Sequence, residues 1–189
     1  MRILLSKIFR SLIKIGNLFL NSCRKFKLQL LYPGIIIDKF SVIEKSCKIV
    51  CVDGGKLSII NSHICFGSTI FVDDQATISI DNCFIGNNCV IASKKKISIG
   101  YGTMIAEMVV IRDQNHILDV NNSQEPFLNY DVEDIEIGKR CWLSAKSTIL
   151  KGVNIGDNSI VGASSLVNKN VPKFELWAGI PAKMIKKLK

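Results

Sequence analysis

Branched apolar residues stand six apart through the second half of the chain: Ile137, Leu143, Ile149, Ile155, Val161 and Val167, with Gly138, Gly156 and Gly162 directly after three of them. Neither the 3.6-residue helix period nor strand alternation produces this spacing. It is the period of a hexapeptide repeat, one flat side of a β-helix per six residues. Upstream, Ile85, Ile91 and Ile97 form one triplet and Ile99, Ile105 and Ile111 the next. Three sides close a triangular coil, so the pattern predicts three inward columns. The first holds Ile85, Ile99, Ile137 and Ile155; the second Ile91, Ile105, Leu143 and Val161; the third Ile97, Ile111, Ile149 and Val167. Glycine is expected to relieve the backbone at the corners. Leu57, Ile64, Ile70 and Ile78 point to further, less regular coils. Thin apolar columns are buried only when several coils stack, so residues 33–189 are expected to form one all-β unit, a parallel β-helix.

Residues 1–32 follow the helix period instead. Lys7, Arg10, Lys14, Asn17 and Asn21 recur at spacings of three and four, and Leu5, Ile8, Leu12, Ile15 and Phe19 do so on the other side. Charges interrupt the segment too often for a secretory signal or a membrane span. Two readings stay open for this basic amphipathic helix. It lies on an anionic membrane surface, or it caps the open end of the β-helix or packs on another subunit. Tyr32-Pro33-Gly34 ends it in either case.

Composition narrows the classes. With 189 residues, 48% hydrophobic but only 7% aromatic, the chain suits one domain built on Ile and Val columns. Its seven cysteines are an odd number with no C-x-x-C pair, as expected of small buried fillers in a reducing cytosol. Seven of the 25 basic residues lie in 1–32 and four in 183–189, leaving 14 against 16 acids in the body, a balance of −2. The basic excess belongs to the two ends, and no basic stripe interleaved with aromatics suggests nucleic acid. The expected location is the cytoplasm, or the inner face of the cytoplasmic membrane through the N-terminal helix.

Two histidines are present, His63 and His116. Their number and spacing do not fit the three-histidine zinc site of a γ-class carbonic anhydrase, and no metal is expected. His116 ends Ile111-Arg112-Asp113-Gln114-Asn115-His116, where the ladder breaks for roughly twenty residues, an inserted loop at 117–134. Long excursions from a compact repeat are usually functional. At the root of such a loop, His116 is the candidate for chemistry, whereas His63 in Asn61-Ser62-His63-Ile64 reads as structural.

Three stretches carry a resemblance. These are Cys141-Trp142-Leu143-Ser144-Ala145-Lys146, Val161-Gly162-Ala163-Ser164-Ser165-Leu166-Val167-Asn168-Lys169, and Ala178-Gly179-Ile180-Pro181-Ala182-Lys183. They resemble the hexapeptide-repeat acetyltransferases, nearest to the maltose and galactoside O-acetyltransferases and their polysaccharide-modifying relatives, over about residues 78–188. The resemblance implies a left-handed coil, a homotrimer and acetyl-CoA lying between neighbouring subunits. His116 matches the family's general base, which takes the proton of an acceptor hydroxyl as that hydroxyl attacks the thioester. Asp113 could orient its ring; the plainer reading is a solvated loop acid. The turn at Ser144-Ala145 is the candidate donor of a backbone N–H to the developing oxyanion.

Ala145 and Ala163 match positions along the pantetheine arm. Asn168, Lys169 and Lys183 match positions toward the nucleotide end, where a lysine acts as a point charge. Trp142 either walls the acetyl-CoA site or packs a corner. Two departures stand out: Ser144 replaces a usual glycine, and Ser93, followed by three lysines, stands near the place of an acceptor-binding asparagine. The expected acceptor is therefore not free maltose or galactoside but a larger glycan or lipid-linked sugar. The leading expectation is an acetyl-CoA-dependent O-acetyltransferase acting on a bacterial surface polysaccharide or its precursor. The alternatives are an acetyltransferase for a small acceptor (an amino-sugar nucleotide, serine or an antibiotic) and a non-catalytic β-helix scaffold.

Overall fold

The structure, a computed structural model, describes residues 2–52, 54–121 and 129–189. Among these residues the strands build three parallel sheets that wind about one axis as a left-handed β-helix of six coils. One face stacks Ile35–Ile37, Lys56–Ile60, Thr77–Asp81, Lys96–Ile99, Ile135–Ile137 and Asn154–Ile155. The second stacks Val42–Ile43, His63–Ile64, Phe84–Ile85, Met104–Ile105, Trp142–Leu143 and Ile160–Val161, and the third stacks Lys48–Cys51, Thr69–Val72, Val90–Ser93, Val110–Arg112, Thr148–Ile149 and Leu166–Val167. The coils therefore begin at Ile35, well before the strict ladder.

The columns differ from the expected alignment in one coil. Ile99, Ile137 and Ile155 do stack, but above them stand Ile80, Ile59 and Ile37. Ile85 belongs to the second face, between Ile64 and Ile105, and Ile91 to the third, between Ile70 and Ile111. Ile97 pairs with Ile78 and Ile135 as a second inward residue of the first face. The cause is the passage from the third face back to the first. It takes ten residues from Ile70 to Ile80 and eight from Ile91 to Ile99, and shortens to six only from Ile149 to Ile155. The longer strands alternate in and out and so carry two inward side chains each.

Two residues before each inward residue of the second face stands a small side chain: Ser41, Ser62, Cys83, Thr103, Cys141 and Ser159, all buried. They tie coil to coil. Thr103 Oγ1 donates to the Gly138 carbonyl at 2.8 Å and accepts from Cys141 N–H at 3.1 Å, and Ser68 Oγ makes the same bridge between Gly86 O and Cys89 N–H at the next corner. Cysteine fills this small corner site at positions 83, 89 and 141 with its thiol against a carbonyl of the next coil. Cys51 and Cys65 are buried as well, Cys47 is half-buried, and Cys23 is exposed on the helix.

Glycine at the corners serves contact more than conformation. Gly86 has no positive φ, and a Cβ there would meet the Ala106 carbonyl carbon at 2.7 Å, so the backbones of successive coils touch at that point. The left-handed corner positions are instead held by Asn82, Asn88, Arg140, Lys146, Asn158 and Ser164 alongside Gly67, Gly102 and Gly152.

The helix α1 (Arg2–Leu31) crosses the first coil. A β-helix ends in unpaired backbone groups that must find partners. Asn21 donates to Ser41 O and accepts from Ile43 N–H, Arg24 Nε donates to Ile43 O, and Ile37 N–H donates to Gln29 Oε1. The Lys25 ammonium donates to the carbonyls of Asp38, Lys39 and Ser41, each at 3.0 Å. The capping reading of the helix thus has a direct structural counterpart in residues 21–29. The side chains of Leu5, Ile8, Leu12 and Ile15, set by the sequence on its apolar side, lie outside the described part. At the other end, Glu175–Gly179 extends the second face beside Ile160–Val161 and folds back antiparallel as Ala182–Lys187, with Trp177 packed on the core.

Candidate active site

The third face leads directly into the site. Along it the outward residues Phe71, Ala92 and Arg112 are in register on successive coils. After Arg112 the chain leaves the coil as an antiparallel hairpin, Gln114–His116 against Tyr130–Val132, with His116 opposite Tyr130. The tip of the expected loop, residues 122–128, lies outside the described residues. The hairpin walls a pocket of about 490 Å³ over the sheet, lined by Thr69, Phe71, Val90, Ala92, Lys94, Arg112, Gln114, Asn115, His116 and Tyr130. That volume falls in the range of small-ligand sites. Ala92 forms part of its floor, and there a larger side chain would take up the space.

The rings of His116 and Tyr130 lie 4.4 Å apart, tilted by 43°, so the imidazole is held by a neighbour while remaining exposed to the pocket. Lys94 Nζ stands 3.9 Å from the centre of the Tyr130 ring and pairs with Asp73. Burial works to raise the Asp73 carboxyl, but the Lys94 ammonium and the Asp74 N–H together outweigh it and hold the pKa below the usual value. Gln114 Oε1 is buried at the pocket wall with no hydrogen-bond donor among the described residues. Arg112 is exposed and has no carboxylate partner among them.

Asp113 is not a solvated acid. It is fully buried, accepting from Ser93 Oγ at 2.5 Å, Lys94 N–H at 2.8 Å and Lys95 N–H at 2.9 Å. It locks the turn after Val90–Ser93 to the start of the hairpin that carries His116. Ser93, expected to meet the acceptor, is fully buried with its hydroxyl bonded to Asp113, and the residue of that turn that lines the pocket is Lys94.

The residues matched to acetyl-CoA sit on the last coils. Ser144 N–H is taken by Val161 O in the coil-to-coil ladder, and Ser164 N–H donates to Ala145 O. Ala145 N–H has no partner among the described residues, which leaves it as the turn's open donor. Ala163, Asn168, Lys169 and Lys183 are all exposed, Ala163 in the next turn below Ala145 and Lys183 on the terminal hairpin. Trp142 projects outward from the second face, in register with Met104 and Ile160, half exposed.

Tyr130, Gln114 and Lys94 were not singled out by sequence reading. Tyr130 lies fourteen residues beyond His116 with no periodic cue, and only the hairpin register brings the two together. His63, read as structural, pairs with Glu44 at 2.8 Å and meets Phe84 edge-on at 5.6 Å. Cys65 completes a group with these two whose ligand-type atoms lie within 4.8 Å of one another.

Residues 134–169 match the family description "Bacterial transferase hexapeptide (six repeats)", and residues 79–106 match "Hexapeptide repeat of succinyl-transferase". The chain is 37% identical over 114 residues to a putative lipopolysaccharide biosynthesis O-acetyl transferase of Escherichia coli K12, WbbJ, covering 57% of this chain and 58% of that protein. Among solved structures it is similar to the polySia specific acetyltransferase NeuO, with 29% identity, TM-score 0.63, and coverage of 75% of this chain and 66% of that one. It is also similar to the hexapeptide-repeat acetyltransferase VCA0836 of Vibrio cholerae, with 28% identity, TM-score 0.60, and coverage of 69% and 72%; that protein has also been solved with acetyl-CoA. The chain spans 58% of the length of the curated relatives it first matches. The repeat period, the six-coil helix and these similarities agree: the chain carries hexapeptide repeats and is similar to acetyltransferases built on them.

Proposed function

We propose that this chain is an acetyl-CoA-dependent O-acetyltransferase that modifies a sugar hydroxyl of a bacterial surface polysaccharide or its precursor, working as a homotrimer. The observation that carries the reading is His116, set by the hairpin over a pocket of about 490 Å³. The reaction needs one base and one oxyanion donor. The His116 imidazole takes the proton from the acceptor hydroxyl while its oxygen attacks the thioester carbonyl. Negative charge gathers on the carbonyl oxygen, where Ala145 N–H is the open donor. The intermediate then collapses, the C–S bond breaks, and the coenzyme A thiolate leaves with the proton.

The pocket favours a sugar on several counts. Tyr130 and Phe71 offer apolar faces, Gln114 Oε1 awaits a hydroxyl donor, and Arg112 gives the pocket a cation able to meet an acidic sugar. WbbJ and NeuO, by their names, serve lipopolysaccharide biosynthesis and polysialic acid. The homotrimer is supported by the outward stripe Phe84, Met104 and Trp142 on the second face, in register on successive coils and each more than 40% exposed. A neighbouring subunit on that stripe would bring the acetyl-CoA groove and a His116 pocket together.

Release of coenzyme A thiol, followed across a panel of neutral and acidic glycans, tests the activity. His116→Ala is expected to lower kcat by about a hundredfold or more while acetyl-CoA binding stays within a few-fold. Ala163→Trp should raise the acetyl-CoA KM or abolish turnover. A folded His116→Ala protein with near-normal turnover overturns the assignment.

A further inference from the structure

The helix α1 wears its polarity inside out. Around a helix at about 100° per residue, Asn21, Arg24, Lys25 and Leu28 share one side, and that is the side turned to the first coil. On the opposite side stand Phe19, Cys23, Phe26 and Leu30, spaced by four, three and four; Phe19, Phe26 and Leu30 are 69%, 69% and 70% exposed. The polar face is consumed in capping the β-helix, and a continuous apolar stripe is left facing outward. A soluble helix docked on its own domain normally does the reverse. In the sequence the same spacing runs on through Leu5, Ile8, Leu12 and Ile15, and the helix itself has 30 residues, about 45 Å of length.

Charge selects what covers the stripe. Residues 1–32 carry seven cations and no acid. A second copy of the chain would bring another segment of uncompensated positive charge beside this one, so self-association through this face is disfavoured. An anionic lipid surface matches both properties, taking up the apolar side chains and attracting the cations. No helix among the described residues is long and apolar enough to cross a membrane, which leaves a helix lying in the interface plane. We infer that α1 docks the protein on an anionic membrane surface through Phe19, Phe26 and Leu30, while its other face caps the β-helix. The inference is independent of the acceptor and of the chemistry at His116.

Co-sedimentation of the full chain with phosphatidylcholine vesicles, with and without phosphatidylglycerol, tests it. The protein is expected to pellet with the anionic vesicles and to be partly released by salt, since the cations are screened and the apolar contact is not. Phe19→Ser/Phe26→Ser/Leu30→Ser should weaken binding about tenfold or more with an unchanged melting temperature. Lys7→Glu/Arg10→Glu/Lys14→Glu, which spares the stripe, should remove the salt-sensitive part and provides a second route if the first variant folds poorly. Wild-type protein that stays in solution with anionic vesicles at low salt overturns the inference. So does a stripe variant that binds as well as wild type, or one whose only change is a smaller oligomer by sedimentation, which would assign the stripe to a neighbouring subunit.

Discussion

Ser93 Oγ donates a 2.5 Å hydrogen bond to Asp113 Oδ2 from the coil above, and the same carboxylate accepts the N–H groups of Lys94 and Lys95. One buried anion thus holds the turn on one coil to the point where the next coil releases the His116 hairpin. Removing it leaves two backbone donors without an acceptor and the Ser93 hydroxyl with only the Thr77 carbonyl at 3.4 Å. Asp113→Ala is expected to destabilise the protein by about 3 kcal/mol, and Ser93→Ala by about 1 kcal/mol. Urea unfolding checks both. If the corner positions His116, Ser93→Ala should also lower kcat while the acetyl-CoA KM stays within about twofold; an unchanged kcat would confine the pair to stability.

Lys25 is a buried cation with no carboxylate in ion-pair reach among the described residues, satisfied instead by three carbonyls at the mouth of the first coil. Lys25→Met keeps the apolar stem but returns those carbonyls to an apolar environment. We expect a loss of about 2–3 kcal/mol and early exchange of amide hydrogens in the first coil. Lys27→Met, at an exposed position on the same helix, serves as the control and should fall within about 0.5 kcal/mol of wild type.

Gly86 and Gly102 are both glycines for different reasons, and alanine separates them. At Gly86 an added Cβ meets backbone atoms of Ala106 and Glu107 at 2.7 Å, so two coils must part. At Gly102 the φ of +75° is the obstacle, while the nearest atom is the flexible Arg140 side chain at 3.4 Å. Gly102→Ala is expected to cost about 1 kcal/mol, and Gly86→Ala about 2–3 kcal/mol from overpacking. Thermal or urea denaturation of the two variants measures the difference.

Burial pushes the Cys65 thiol up to about 11, with Glu44 adding to the shift, and pushes Cys83 up to about 11 as well. Folding therefore favours the protonated thiols. Their contribution is complete below the ordinary thiol pKa of 9.0 and is lost as pH rises from there to about 11. The urea midpoint should fall across that window, and Cys65→Ala/Cys83→Ala should flatten the fall. At pH 8 in the native state, iodoacetamide should modify exposed Cys23 first.

The period of six was legible because each inward residue of the strict coils owes its burial to its own position in a local repeat. Ile137 through Val167 obey it without exception, and stacking follows from the need to cover each thin layer. Where the return turn lengthens, as between Ile70 and Ile80, the same reading slips by one face, because a turn's length is set by contacts with the coils above and below and leaves no mark on periodicity. His116 was legible for a similar reason, standing where the ladder breaks. Its surroundings were not. Asp113 was expected in solvent and is buried, Ser93 was expected at the acceptor and is spent on Asp113, and Tyr130 reaches His116 only across an antiparallel pairing. The sequence by itself determined the repeat and the helical segment and singled out His116 as the candidate for chemistry, since these rest on local spacing and residue chemistry. Tertiary structure alone decided which face of the helix caps the coil, which hydroxyls and N–H groups are already engaged, and which remain open, because hydrogen-bond partners are assigned in space and not along the chain.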